Sequence, residues 1–272
     1  MLEHRPILLS SPTIRCGTTL LQRLLCSSEN ALIYGEEIGK DLEWQLQMFV
    51  SRKMVYTHSR QRFATSLDRV MQGDTNDWIP DLMPDIDAYL AALREGSFAG
   101  LAYCQQHAEK NGRDLWGFKY PGWQPHLIRM LFDVIPGTSV IYIFRGLADC
   151  VRSAKAWGEI RSEAETEQFC TQWAAHLTFM QQWQNSRSVL ILRYEDLTKE
   201  PDRIIGELCN FLPFKGIKPE VLQHKINNMT EGVDSRRTHH DYIEPGILTE
   251  LESGFIEAAM KAVDLVLSKN AS

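Results

Sequence analysis

The sequence predicts an α/β protein: a central parallel sheet flanked by helices. Three observations carry this reading. Short apolar runs of about three to six residues recur along the chain and read as strands buried on both faces. Most lead into a polar loop and then into apolar residues at helical spacing, the alternation that builds a parallel sheet. The chain has 272 residues, 44% of them apolar and 24% charged, enough for one substantial buried core.

Taken in order, Ile7-Leu8-Leu9 is the first expected strand, Ser10 to Gly17 a polar turn, and Thr18 to Cys26 a helix with Leu20, Leu21, Leu24 and Leu25 on one side. A long helical excursion follows, from about residue 39 to 112. Within it Phe63, Leu67, Val70 and Met71 keep helical spacing, as do Ile86, Tyr89, Leu90 and Leu93, with Trp78, Pro80 and Pro84 marking a loop between them. Leu115 to Lys119 reads as a weaker strand ended by Pro121-Gly122. Ser139 to Phe144 is a strand ahead of Arg145-Gly146 and a helix from about Ala148. Ser188 to Leu192 is another strand. Leu248, Leu251, Phe255, Ala259, Val263 and Val266 form one face of a last helix after Pro245-Gly246. No internal repeat is visible, and the expectation is a single domain over residues 1–272 whose helical region covers the acceptor side.

Composition narrows the function. Net charge is -6 and the pI is near 5.8, which excludes a general nucleic-acid binder; an anion would have to be held by a local basic cluster. The six cysteines are scattered, without a C-x-x-C pair, so neither a zinc site nor a disulfide framework is expected. No apolar run approaches the eighteen or so residues of a membrane span. The N-terminal apolar stretch is too short for a signal peptide. The expectation is a soluble, cytoplasmic protein that needs no metal.

Four segments carry the chemistry. Ser11 to Leu20 lies between a strand and a helix, where free amides and the helix dipole favour an anion. There Arg15 adds a fixed charge, Gly17 lets the backbone approach closely, and Thr18 and Thr19 add hydroxyls. This is not the kinase loop G-x-x-x-x-G-K-S/T, whose lysine is missing. Taken alone it also suits an ordinary strand-to-helix turn. The second segment sets Arg145 at a strand end, with Asp149 and Ser153 following; the third is Arg193-Tyr194-Glu195-Asp196-Leu197 with Pro201; the fourth places Lys119 at a strand end beside a rigid turn.

In this order the segments resemble the sulfotransferase family that uses 3′-phosphoadenosine 5′-phosphosulfate (PAPS). Arg15-Cys16-Gly17-Thr18-Thr19-Leu20 resembles its 5′-phosphosulfate loop R-S-G-T-S/T-L, with Cys16 in place of the usual serine. Arg145, Asp149 and Ser153 are similar to its 3′-phosphate motif R-x-x-x-D-x-x-x-S. Arg193 to Leu197 with Pro201 matches R-Y-E-D-L-x-x-x-P. Arginine at position 15 leans toward the bacterial and tyrosylprotein-type branch, where Gly35-Glu36-Glu37 resembles a Gly-Glu-Glu whose second glutamate is the base.

The resemblance implies a P-loop-like sulfotransferase fold and in-line sulfonyl transfer from PAPS, leaving PAP. It assigns the base to Glu37, with Glu36 as rival, and stabilisation of the transferring group to Lys119 and Arg15. Donor binding falls to Arg15, Cys16, Gly17, Thr18, Thr19, Leu20, Arg145, Ser153 and Tyr194. The cytosolic branch's C-terminal R-K-G-x-x-G is absent, and Arg236-Arg237 is the candidate replacement. A small molecule such as a secondary metabolite is the expected acceptor, a protein tyrosine or glycan the alternative, and the protein is expected to be a monomer or homodimer. Competing readings are a P-loop kinase, which predicts ATP and magnesium, and a non-catalytic nucleotide-binding module.

Overall fold

The computed structural model of the chain describes residues 5–74, 82–223 and 245–270. Its centre is a sheet of five parallel strands: β1 (Ile7–Ser10), β2 (Ala31–Tyr34), β3 (Leu115–Lys119), β4 (Ser139–Phe144) and β5 (Val189–Arg193), in the order β2-β3-β1-β4-β5. β1 is the middle strand, pairing Leu8 with Phe118 on one side and with Val140 on the other. All four β1 residues are buried, as an apolar strand covered on both faces requires. The flanking strands are less deeply covered: β2 alternates buried and half-buried residues, and β5 ends on the exposed Arg193.

Strand residues alternate between two cores, because successive side chains point to opposite faces. Leu8, Phe118, Val140 and Tyr142 join one core. Ile7, Leu9, Ile141 and Ile143 join the other, with Leu21, Leu24 and Leu25 of α1 (Thr18–Cys26). Among the described residues, four helices occupy the excursion between β2 and β3: α2 (Glu36–His58), α3 (Arg60–Met71), α4 (Ile86–Ser97) and α5 (Ala99–Lys110). The Asp85 carboxylate caps α4 by accepting from the Ala88 amide at 2.8 Å. The expected stripe in α3 is only partly buried: Phe63 is, whereas Met71 is 77% exposed.

The rest of the chain adds α6 (Pro125–Val134), α7 (Leu147–Ala156), α8 (Glu163–Gln181), α9 (Tyr194–Lys199), α10 (Pro201–Phe211) and α11 (Glu250–Asn270). α11 meets the core with Ala259 and Val263, with Leu248 and Phe255 packed against it, and departs from the expected face at Leu251. Ile256, Ala259 and Val263 are buried as a stripe; Leu251 is 52% exposed while Glu252 is 2% exposed. Periodicity ranks leucine above glutamate for burial. Glu252 overrides it because its carboxylate is fully partnered, by Lys155 Nζ at 2.6 Å, the Thr249 amide at 2.8 Å and Thr166 Oγ1 at 3.0 Å.

The strand order places a topological switch at β1. From β1 the chain moves to β2 and β3 on one side, then crosses to β4 and β5 on the other. In open parallel sheets, ligands bind outside the carboxyl ends of the strands at such a switch.

Candidate active site

The loop after β1 is held in place from below. Ser10 Oγ donates to the Tyr120 carbonyl at 2.7 Å, and Ser11 Oγ to the Thr13 carbonyl at 2.6 Å. The Pro12 carbonyl accepts from His176 Nδ1 at 2.8 Å, which puts a proton on that nitrogen. Burial pulls the pKa of His176 below its ordinary value, with the Pro12 hydrogen bond opposing. Two residues of the loop adopt left-handed backbone: Arg15 at φ 69° and Gly17 at φ 95°. For arginine that conformation is uncommon and strained, and such strain gathers at functional sites.

Gly17 is the residue before α1, so the Thr18, Thr19 and Leu20 amides form the first turn, where intrahelical partners are missing. Glycine is needed there twice over. Besides its φ, a Cβ at Gly17 would lie 2.3 Å from Cδ2 of Tyr194. Tyr194, the first residue of α9, thus lies flat against the loop, and the Arg145 guanidinium sits 4.9 Å from its ring centroid.

Cys16 turns inward and is fully buried. Its Sγ lies 3.6 Å from Sγ of Cys150 and 3.6 Å from Oγ1 of Thr13. Its thiol is thereby turned away from the loop's outer face. The contact with Cys16 and burial push the Cys150 thiol well above its ordinary pKa, so it stays protonated.

On the other side of β1, Lys119 ends β3 and is only 7% exposed. Its ammonium donates to Thr19 Oγ1 at 3.0 Å and pairs with Glu36 Oε1 at 2.6 Å. The structure therefore brings Glu36 to the lysine. Glu37, one residue further round α2, is 82% exposed and holds Lys40 at 2.6 Å instead. Across the switch, Arg145 follows β4. It reaches Asp149 at 3.8 Å, and its buried Nε has no hydrogen-bond partner. Glu195 ties the two neighbouring loops together, accepting from the Gly146 amide at 2.9 Å and from Arg193 Nε at 3.0 Å.

Arg15 is clasped by α7 and the residues after it. Its Nε donates to Ser153 Oγ at 3.1 Å, its guanidinium stacks 4.9 Å from the Trp157 ring, and Glu159 lies 3.9 Å away. Neither Trp157 nor Glu159 was expected from the sequence as a partner of Arg15. Of the expected site residues, Arg15, Gly17, Thr19, Arg145, Ser153 and Tyr194 converge, and Lys119 joins them through Thr19. Thr18 is buried and Leu20 half-buried in the first turn of α1. Arg236 and Arg237 lie outside the described residues.

Chemically, the arrangement offers three cationic side chains, a helix N-terminus and a carboxylate at the carboxyl edge of a parallel sheet. That suits a polyanion with at least two separated charged groups. Among the described residues, no helix is long and apolar enough to cross a membrane.

Comparisons with known proteins agree with this architecture. The sulfotransferase domain of the Synechococcus PCC 7002 olefin synthase is 17% identical, with 94% of this chain and 95% of that one covered and a TM-score of 0.52. Mouse sulfotransferase SULT7A1, solved as a complex with PAP, is 11% identical, with 99% and 85% covered and a TM-score of 0.50. At these identities the likeness is one of fold. No curated protein sequence matches the chain. The model of the sulfotransferase family matches residues 13–215, which takes in both arginine loops, Lys119 and the Tyr194 segment; the chain belongs to the sulfotransferase family.

Proposed function

We propose that the protein transfers a sulfonyl group from PAPS to a hydroxyl or amine of a small-molecule acceptor such as a secondary metabolite. The observation that carries this reading is the junction at Lys119, where a buried ammonium touches both Glu36 at 2.6 Å and the loop hydroxyl Thr19 at 3.0 Å. A proton acceptor, a cation and a phosphate-type loop meet there within hydrogen-bond reach.

The residues fit the donor. PAPS supplies the activated sulfonyl group and a second, separate phosphate. The unpartnered buried Nε of Arg145 is a donor lacking an acceptor, and a phosphate oxygen would satisfy it. Arg145 and Ser153 suit the 3′-phosphate that distinguishes PAPS from ATP, and Arg15, expected from the sequence to stabilise the transferring group, is bonded to Ser153 and joins them on that side. Gly17, Thr18, Thr19 and Leu20 offer amides and hydroxyls to the 5′ side. Lys119 lies where charge on a departing oxygen needs stabilising. The base is assigned to Glu36 in place of the Glu37 expected from sequence, because Glu37 points away and is engaged by Lys40. The acceptor enters beneath the helical region of residues 39–112, which follows Glu36 directly. No metal is assigned a role.

Thermal denaturation with PAP, with ATP plus magnesium, and without ligand tests the donor assignment. At a hundredfold excess over Kd, binding to the folded state alone adds about 2.7 kcal/mol. For a domain of this size that is about 5 °C. Arg145→Ala should abolish the shift. Stabilisation by ATP and magnesium alone would overturn the proposal in favour of a kinase-like enzyme.

A further inference from the structure

Three groups hold Arg15, and all belong to the C-terminal end of α7 and the turn beyond it: Ser153, Trp157 and Glu159. The backbone explains how Glu159 arrives there. α7 ends on Gly158 at φ 70°, whose amide donates to the Lys155 carbonyl at 3.0 Å, while the Glu159 amide donates to the Ala154 carbonyl at 2.9 Å. This pair of bonds is a Schellman cap, and its closing residue usually makes an apolar contact with the last helical turn. Here that residue is a glutamate, only 33% exposed at its side chain and turned toward Arg15. A local rule broken beside a binding site is where function tends to override packing.

The charges around Arg15 say what the carboxylate does. Burial pulls the Arg15 guanidinium below its ordinary pKa; Glu159 opposes this and the like charge of Arg145 adds to it. Arg15, bonded to Ser153, thus lies within reach of a second guanidinium, and without an anion between them the two repel. The Glu159 carboxyl is itself pushed up by burial, with Arg15 restraining it and Glu36 adding to the rise. It is a weak, partly desolvated partner at 3.9 Å, close enough to balance Arg15 and loose enough to yield.

We infer that Glu159 is a built-in counter-ion for Arg15 in the donor-free protein, displaced from it by a phosphate of the donor, and that it thereby sets donor and product affinity. The inference rests on the donor reading above. A phosphate carries more charge and more acceptor atoms than a carboxylate and makes shorter bonds to guanidinium. After displacement Glu159 remains near the bound anion and repels it. It therefore weakens the hold on PAP and favours its release. A residue that merely propped Arg15 in place would do the opposite, and its loss would weaken PAP binding.

Calorimetric titration of the full chain with PAP distinguishes the two. Glu159→Gln should bind PAP about tenfold tighter, equivalent to about 1.4 kcal/mol. Glu167→Gln, an equal change in net charge at an exposed position on α8, should stay within about twofold of wild type. Glu159→Asp, with the charge drawn back by one methylene, should tighten binding by less than Gln, and it keeps the test usable if Gln at this position does not fold. Unchanged or weaker PAP binding in both Glu159 variants, with wild type binding normally, overturns this inference alone. Equal tightening in Glu167→Gln would also overturn it, by showing a general charge effect. If wild type itself does not bind PAP, the donor reading falls.

Discussion

At the scale of single residues, the choice between Glu36 and Glu37 turns on helical phase. Adjacent positions at the start of α2 are about 100° apart around the axis. One faces Lys119 and the other faces solvent, and no feature of the dipeptide says which. The residue types of the site were legible; their directions were not, because direction depends on where α2 begins. If Glu36 is the base, Glu36→Gln should lower turnover of PAPS to PAP, with any accepted substrate, by about 10² to 10⁴. PAP affinity should change little, and Glu37→Gln should leave turnover within about twofold. The reverse pattern would return the role to Glu37. Gly17 is the second decisive residue. Gly17→Ala places a methyl 2.3 Å from Tyr194 in a left-handed backbone. Tyr194 would have to leave the loop and Arg145 would lose the ring beneath it. A destabilisation of about 1–3 kcal/mol is expected, together with loss of the PAP-induced thermal shift.

Secondary-structure elements were legible where their burial was one-sided or complete. β1, β3, β4 and β5 appear within a residue or so of their expected bounds, and so does α1. β2 was missed. Its four residues Ala31–Tyr34 are an apolar run between Asn30 and Gly35, as long as others read as strands, so the local signal was present; its place at a sheet edge with alternating cover is what the sequence does not show. α11 was expected, and of its expected face Ala259, Val263, Leu248 and Phe255 do meet the core while Leu251 does not. The clamp that buries Glu252 in place of Leu251 joins three elements: Glu252 of α11, Lys155 of α7 and Thr166 of α8, with Lys155 also donating to the Ile247 carbonyl at 2.7 Å. Because α7 carries Ser153, this clamp sets the height of that serine beside Arg15. Lys155→Met leaves a buried carboxylate without its cation. The cost should be about 2 kcal/mol in chemical denaturation, below the 3–5 of fully buried pairs because Lys155 stays partly exposed. The pH dependence follows from the same group. Burial raises the Glu252 pKa, but Lys155, the Thr249 amide and Thr166 more than offset it, so the net shift is downward from 4.5. A carboxylate lowered on folding contributes stability that is present above its unfolded pKa and lost as pH falls through the folded value. Wild type should therefore lose stability below about pH 4.5, and Lys155→Met should show a shallower loss over that window.

At the scale of the whole molecule, the site exists only because the strand order brings distant loops to one edge. Arg15 follows β1, Lys119 ends β3, Arg145 follows β4, and Tyr194 follows β5, with Glu36 entering after β2. Every strand of the sheet thus delivers one site group at its carboxyl end. Motif order along the chain was readable, but the contacts that couple the motifs were not: Tyr194 on Gly17, Arg15 on Ser153, and Glu195 on the Gly146 amide. If the proposed donor reading is right, those contacts make donor binding a property of the assembled sheet rather than of any one loop. Hydrogen exchange on the intact chain tests this. PAP should slow exchange together in residues 13–20, 145–153 and 193–197, since an anion that fixes Arg145 also fixes Tyr194 and, through it, the Gly17 backbone. The exposed helices α3 and α4, which pack chiefly against α2, α5 and each other, should exchange as before. Protection confined to residues 13–20 would mean that the first loop binds alone. The coupling across the switch would then have no part in recognition, and the 3′-phosphate assignment of Arg145 and Ser153 would be lost with it.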